Sequence, residues 1–356
     1  MKKVMIGMSG GVDSSVAAAL LIEQGYEVVG ATFRLWKPED DLFDSEATCC
    51  SLDDINDARE VCHQLGIPHY VLNLKREFKE AVVQNFVEEY QAGRTPNPCI
   101  VCNQKIKFDY FYQKAAALGF DYVATGHYAR IEQNEQGEFQ LKTAAYAQKD
   151  QSYFLYGIPY PNLGHILFPL GGYTKPQVRE LAEKYGFSVS HKRDSQEICF
   201  VDRNGYGTFL ERFTGTIPPK GNFIDSQGTV LGEHKGIWHY TVGQRKGLGM
   251  AFGKPMYVSE INPADNTVRL VDDEENYSSR LTAERMNYLI PHPPSKPVRV
   301  QVKIRNRAEF APALLTPLSE AKIELAFDQP QRAITKGQSA VLYDGEVCLG
   351  GGIITA

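Results

Sequence analysis

The stretch Val4-Met5-Ile6-Gly7-Met8-Ser9-Gly10-Gly11-Val12-Asp13-Ser14-Ser15 decides the fold. Val4 to Met8 is a short apolar strand with no polar face, as expected where both faces of a parallel sheet are covered. Two adjacent glycines free the backbone from Cβ clashes. The Ala- and Leu-rich run from Ser14 to Gln24 then reads as a helix, closed by Gly25. Working outward, the same rhythm repeats. Strands are expected at Glu27–Phe33, Tyr70–Leu74 and Tyr122–Thr125, and helices at Asp53–Leu65, Glu77–Gln91 and Gln104–Leu118. Gly66, Gly93 and Gly119 stand where these helices should stop. This is the alternation of a doubly wound α/β fold, in which ligands sit beyond the carboxyl ends of the strands.

Further on, a polar hairpin is expected around Gly137, and Thr174 with Gln177 forms a capping box before a helix reaching Tyr185. After about residue 203, glycine and proline become frequent and helical periodicity disappears. Val298 to Arg305 alternates strictly, with Val298, Val300, Val302 and Ile304 against Arg299, Gln301, Lys303 and Arg305. That period of two marks a half-buried antiparallel strand. Similar runs at Ala321–Ala326 and Ala340–Tyr343 predict a small closed β domain at the C-terminus. The expected division is a catalytic α/β domain over 1–203, a small central domain over 204–281 and a β-barrel-like domain over 282–356.

The 356 residues are 43% hydrophobic and 23% charged, an ordinary globular composition that excludes disordered and low-complexity classes. With 38 Lys and Arg against 43 Asp and Glu, the net charge is −5, so any nucleic acid must be met by a local basic patch. Arg285 to Ala308 is such a place, with six Lys or Arg and no acid. Seven cysteines in a long chain do not make a secreted disulfide framework. No apolar run approaches the roughly 20 residues of a membrane helix, and no signal segment opens the chain. The cytoplasm is the expected compartment.

The string Ser9 to Ser15 is neither a Walker A loop nor G-x-G-x-x-G. Its glycines and the following helix N-terminus suit a bound phosphate, and Asp13 suits Mg²⁺. Cys99-Ile100-Val101-Cys102 follows a Pro-rich turn just ahead of the helix expected near Gln104, and Cys199 follows the basic run His191-Lys192-Arg193. Both settings favour a reactive thiolate. Cys62 and Cys348 read as buried structural residues, whereas Cys49 and Cys50 remain open between buried and reactive roles.

The S-G-G-x-D-S string resembles the loop of the ATP pyrophosphatase (PP-loop) superfamily. Gly93 to Asn103, Thr125 to Tyr128, Lys149 to Leu155, Asp194 to Phe200, Tyr240 to Gly247 and Gly337 to Ala340 extend the resemblance over the whole chain. Together they resemble the tRNA-specific 2-thiouridylase family. The resemblance implies exchange of the C2 oxygen of the wobble uridine for sulfur in tRNAs for Lys, Glu and Gln. It implies ATP with Mg²⁺ at Gly7, Met8, Ser9, Gly10, Gly11, Val12, Asp13 and Ser14, with Phe33 and Gly126 beside the adenosine. Cys199 would carry a persulfide supplied by a sulfur-relay protein or cysteine desulfurase, and Cys102 would be the partner nucleophile. Asn97, Pro98 and Cys99 would meet the target base. Lys149, Asp150, Gln151, His127, Arg305, Asn306 and Gln338 would contact tRNA. Relatives that carry Asp where this chain has Cys99 leave a second arrangement open: Cys99, Cys102 and Cys199 around an iron–sulfur cluster. Alternatives outside this reading are another thiolase with the same loop, or a persulfide-carrying RNA-binding module without turnover.

Overall fold

A computed structural model describes residues 1–36, 52–192, 198–201 and 204–356. Cys49 and Cys50 lie outside the described residues, as do Asp194 to Glu197 of the motif that leads to Cys199.

Among the described residues, five parallel strands form the first sheet: β1 (Lys3–Gly7), β2 (Glu27–Arg34), β3 (His69–Asn73), β4 (Tyr122–Ala124) and, later in the chain, β7 (Ile166–Leu167). Their spatial order is β3-β2-β1-β4-β7. The order reverses between β1 and β4, and that switch point is where a doubly wound sheet opens a ligand crevice. Helices Val12–Glu23 and Leu52–Gln64 are those expected. The helix after β3 is less regular, because its middle, Lys79–Val83, is π-helical.

Two expectations need correction. The helix placed near Gln104 starts at Pro98 and runs through a π-helical stretch, Cys102–Tyr110, to Ala117. The Asn97 side chain accepts a hydrogen bond from the Ile100 N–H, and Pro98 occupies the first turn, where its fixed φ and missing N–H cost nothing. Cys99 and Cys102 therefore sit inside the helix, three residues apart on neighbouring positions. Helical structure also continues past residue 203. Gly205–Thr214 is a helix whose two glycines hid its apolar stripe. Phe209 and Phe213 of that stripe pack edge-on against Trp36.

The central region forms a mixed sheet of β8 (Gly221–Ile224), β9 (Val230–His234), β10 (Tyr257–Asn262) and β11 (Thr267–Val271). The C-terminal strands are β12 (Tyr277–Tyr288), β13 (Val298–Lys303), β14 (Ala311–Ser319), β15 (Lys322–Arg332), β16 (Ser339–Asp344) and β17 (Val347–Ile354). They close into an antiparallel barrel because β12 pairs with both β15 and β17. The hairpin of β5 (Arg130–Gln133) and β6 (Phe139–Lys142) comes from the N-terminal region yet adds to this sheet through β17. Among the described residues no helix is long and apolar enough to cross a membrane.

Phe200 anchors the segment that carries Cys199. It is fully buried, with ring centroids 5.2 Å from Phe86, 5.3 Å from Phe209 and 5.8 Å from Phe78. Phe200→Ala removes this plug and is expected to cost about 3–5 kcal/mol. The loss will read as an earlier unfolding transition in urea; an unmoved transition contradicts the anchoring role.

Candidate active site at the switch point

The loop after β1 is shaped by its glycines and serines. Gly10 has φ +68°, and a Cβ there would collide with the Asp54 carbonyl. The Ser9 N–H donates to Ser14 Oγ at 3.1 Å, and the Ser14 hydroxyl donates to the Gly11 carbonyl at 3.1 Å. Gly11 caps the following helix without a side-chain acceptor, which leaves first-turn N–H groups to an outside anion. From the neighbouring strand, Gly126 approaches so closely that a Cβ would sit 2.8 Å from the Asp13 carbonyl carbon and the Ser14 nitrogen. Phe33 is buried against Phe111, with ring centroids 4.8 Å apart, and its Cζ would lie 3.4 Å from a Cβ on Gly7. Gly7, Phe33 and Gly126 thus come together around the loop. The cradle is glycine-lined and opens at a helix start, so its residues fit the phosphates of a nucleotide.

Asp13, expected beside Mg²⁺, is held by Lys175, which the sequence did not single out, and by Tyr128 of the Thr125–Tyr128 motif. Lys175 Nζ donates to both its oxygens at 2.8 Å, and the Tyr128 hydroxyl donates to one at 2.7 Å. Tyr128 is buried. Lys192, expected as part of the basic run before Cys199, is instead turned to the loop. Its Nζ donates to the Gly10 carbonyl at 3.0 Å and to Asp54 and Asp57 at 2.6 and 2.5 Å. These carboxylates hold its ammonium form, raising its pKa against the opposing effect of burial. Lys192 precedes Cys199 by seven residues in the chain, and residues 193–197 between them lie outside the described residues. The sequence signalled neither contact, because each lysine reaches partners more than 130 residues away.

Cys99 is exposed, and Cys102 and Cys199 are half-buried against one continuous core. The loop before Cys99 is gripped from three sides. Glu89 takes Arg94 in a two-point ion pair. Gly93 lies where a Cβ would be 2.8 Å from the Ile261 carbonyl of the central sheet. From the barrel, the Lys336 carbonyl accepts the Thr95 N–H at 2.9 Å, and the Gln338 amide donates to the Thr95 and Pro96 carbonyls at 2.9 and 3.3 Å. Asn103 is buried and donates to the Phe154 carbonyl at 2.9 Å. Among the described residues, no three His, Cys, Asp or Glu side chains gather as a metal site, so the iron–sulfur arrangement on Cys99, Cys102 and Cys199 does not fit them as they stand.

The other expected tRNA positions are spread over the seam between the α/β region and the barrel. Asp150 accepts hydrogen bonds from Ala144 N–H and Ser152, and Gln151 Oε1 accepts the Tyr128 N–H at 2.9 Å. Lys149 lies beside them and is partly exposed. The basic face expected on β13 is smaller than its alternation implied. Arg299 pairs with Asp328, and Lys303 lies 5.1 Å from the Phe310 ring centre. Arg305 stands beyond the strand end, exposed, and donates to the Arg332 carbonyl at 2.8 Å. Asn306 is next to it, with a buried Oδ1 that lacks a hydrogen-bond partner.

His127 is packed between Phe108 and Phe168. Its Nδ1 is 2.7 Å from Thr125 Oγ1, and Nε2 is 3.5 Å from Lys107 Nζ. Burial and, secondarily, the Lys107 charge hold its pKa well below the ordinary 6.5. The ring is neutral at neutral pH, suited to hydrogen bonding and not to attracting phosphate. Below pH 6.5 the unfolded chain takes up this proton first. The site's stability contribution is therefore complete above pH 6.5 and is lost as pH falls through the lower folded value. In an NMR titration its Hε1 signal should stay flat through pH 6.5; a midpoint there contradicts the packing.

Three family models match this chain in order. A tRNA methyl transferase HUP domain matches residues 2–203, a tRNA methyl transferase PRC-barrel domain 207–272, and an aminomethyltransferase beta-barrel domain 278–354. The tRNA-specific 2-thiouridylase MnmA of Clostridioides difficile is 52% identical over 354 residues, covering 99% of this chain and 98% of that protein. The protein of the same name from Acetivibrio thermocellus is 52% identical over 355 residues, with 99% of each covered. Among solved structures, an NMN synthetase from Francisella tularensis covers 60% of this chain and 77% of its own at 19% identity, with a TM-score of 0.34 too low to carry an argument. With half of all residues identical from end to end, the chain belongs to the tRNA-specific 2-thiouridylase family.

Proposed function

We propose that this chain is the catalytic tRNA-uridine 2-sulfurtransferase, which adenylates the C2 oxygen of the wobble uridine with ATP and then replaces that oxygen with sulfur. One observation carries the assignment of residues: the glycine-lined loop at the switch point, closed in by Gly126 and leaving the first-turn N–H groups of the following helix to an outside anion. A loop of this kind has no use in a passive sulfur carrier. The substrates are the tRNAs for Lys, Glu and Gln, and the compartment is the cytoplasm.

A uridine carbonyl oxygen is a poor leaving group, so activation must come first. The glycine cradle of Gly7 to Ser14 would hold the triphosphate, Asp13, now paired with Lys175, would be the carboxylate for Mg²⁺, and Phe33 and Gly126 would flank the adenosine. Mg²⁺ supplies charge neutralisation on the phosphates. Attack of the uridine O2 on the α-phosphorus releases pyrophosphate. Asn97, Pro98 and Cys99 meet the turned-out base, since a base must leave its stack to be modified. The terminal sulfur of a Cys199 persulfide attacks C2, and AMP departs with the oxygen. The Cys102 thiolate attacks Cys199 Sγ, the old sulfur–sulfur bond breaks towards the base, and a Cys102–Cys199 disulfide remains. A thiol reductant restores the pair, and a sulfur-relay protein or cysteine desulfurase reloads Cys199. Three units divide the work: residues 1–203 for activation and sulfur transfer, and 204–281 and 282–356 for holding tRNA, with Lys149, Asp150, Gln151, His127, Arg305, Asn306 and Gln338 along the seam.

Cys199→Ser will neither accept labelled sulfur nor turn over. Cys102→Ser will load Cys199 but fail to release sulfur to tRNA. Cys99→Ser will retain turnover within a few-fold, because two thiols complete one exchange. Persulfide trapping and nucleoside mass analysis read these outcomes, and a Cys99→Ser protein as dead as the other two overturns the two-thiol route.

A further inference from the structure

The sulfur chemistry leaves one sequence motif without a role. Thr241-Val242-Gly243-Gln244-Arg245-Lys246-Gly247-Leu248-Gly249 is a loop of the central region with Gly243, Gly247 and Gly249 all at φ between +75° and +86°. Only glycine takes such a backbone cheaply, so the path is specified. Gln244 locks it from within: its Oε1 accepts the Thr241 N–H at 3.0 Å and its Nε2 donates to the Lys246 carbonyl at 3.0 Å. The Gly243 N–H donates to the Val258 carbonyl at 2.7 Å, which staples the loop to β10. A rigid frame therefore presents two consecutive exposed cations, Arg245 and Lys246.

Their charges are not consumed internally. Nearby cations are paired: Lys254 with Asp272, Arg269 with Glu260, Arg332 with Asp273. Among the described residues Arg245 and Lys246 have no acidic partner. Arg245 instead lies 6.0 Å from the Tyr257 ring centre, and Arg332 lies 4.5 Å from the same ring. Arg332 in turn offers its carbonyl to Arg305. A Cβ on Gly243 would be 3.1 Å from the Ala333 Cβ, so loop and barrel touch at this point. From Ala333 the chain runs five residues to Gln338, which grips the loop before Cys99. Five residues span at most about 18 Å. Unpaired positive charge and the cysteine helix thus lie along one seam, on a protein whose net charge is −5.

We propose that the 241–249 loop, through Arg245 and Lys246, binds the sugar–phosphate backbone of the tRNA substrate, extending across the seam the contact assigned to Arg305. This rests on the tRNA-thiolation reading. A phosphate contact is blind to sequence, fixes the position of the RNA, and is recognised by its salt dependence.

The test is a binding titration of unmodified tRNA against salt, without ATP, using wild-type protein, Arg245→Ala/Lys246→Ala, Arg245→Lys, and Lys254→Ala as a control that removes one nearby charge paired with Asp272. Each lost phosphate contact should lower the slope of log K against log salt by about 0.7–0.9, so the double variant should lose about 1.5. Its KM for tRNA should rise while kcat at saturating tRNA holds. Arg245→Lys should keep the wild-type slope, and Lys254→Ala should leave it nearly unmoved. A folded double variant with wild-type slope and affinity overturns the proposal, as does an equal loss in Lys254→Ala, which would mean general charge and not this loop. A wild-type protein that binds tRNA without salt dependence would instead defeat the underlying tRNA reading.

Discussion

Everything at this site depends on how closely the ends of β1 and β4 can approach. Gly126 lies against the Asp13–Ser14 peptide with no room for a Cβ. A side chain there would separate the two strand ends and widen the crevice at the point where the sheet order reverses. Gly10 sets the second limit, since its positive φ and its contact with the Asp54 carbonyl bend the loop back over its helix. The serines then fill the loop's own hydrogen-bonding needs, and the helix start is left facing outward for an anion. Charge is arranged around this backbone: Asp13 is balanced by Lys175, and the Gly10 carbonyl by Lys192.

The cysteine helix belongs to the α/β region in sequence but is held by the whole molecule. Thr95 and Pro96 are gripped by the barrel turn at Lys336 to Gln338, and Gly93 is pressed on the central sheet. Gly337 has φ +91°, and a Cβ there would lie 2.8 Å from the Thr95 nitrogen, so even the clamp is backbone against backbone. Tyr153 and Tyr156 reach Ser339 on the next strand, and Ser152 reaches Tyr343. A reaction that must hold a large RNA, a nucleotide and a transferable sulfur at once gains from such coupling, because displacement of the barrel is felt directly at Cys99.

Much of this was legible in the sequence, and the reasons are local. The first sheet could be read because each strand is a short apolar run and most helices end at glycine. The capping box at Thr174 was legible because both its members are side chains at fixed spacing. The helix start at Pro98 was missed because Thr95-Pro96-Asn97-Pro98 reads equally as a turn, and only the Asn97 cap decides it. The helix Gly205–Thr214 was hidden by glycines whose low propensity is overridden by burial of Phe209 and Leu210. At the site, motifs named the glycines, serines and cysteines. They did not name Lys175, and they read Lys192 only as part of the basic run before Cys199, because the roles of both are set by contacts across 162 and 138 positions. The alternation of β13 overstated its basic face, since a period gives direction but not the carboxylate of Asp328 opposite Arg299.

The central claim is that one ATP-activated uridine receives one sulfur from Cys199. The direct measurement loads the protein with isotopically labelled persulfide sulfur, adds ATP and unmodified tRNA under single-turnover conditions, and counts pyrophosphate, AMP and labelled 2-thiouridine together. The account predicts one pyrophosphate and one AMP for each labelled 2-thiouridine, with Cys102 and Cys199 left joined as a disulfide. Labelled 2-thiouridine formed without pyrophosphate release, or 2-thiouridine formed without the label, would contradict it.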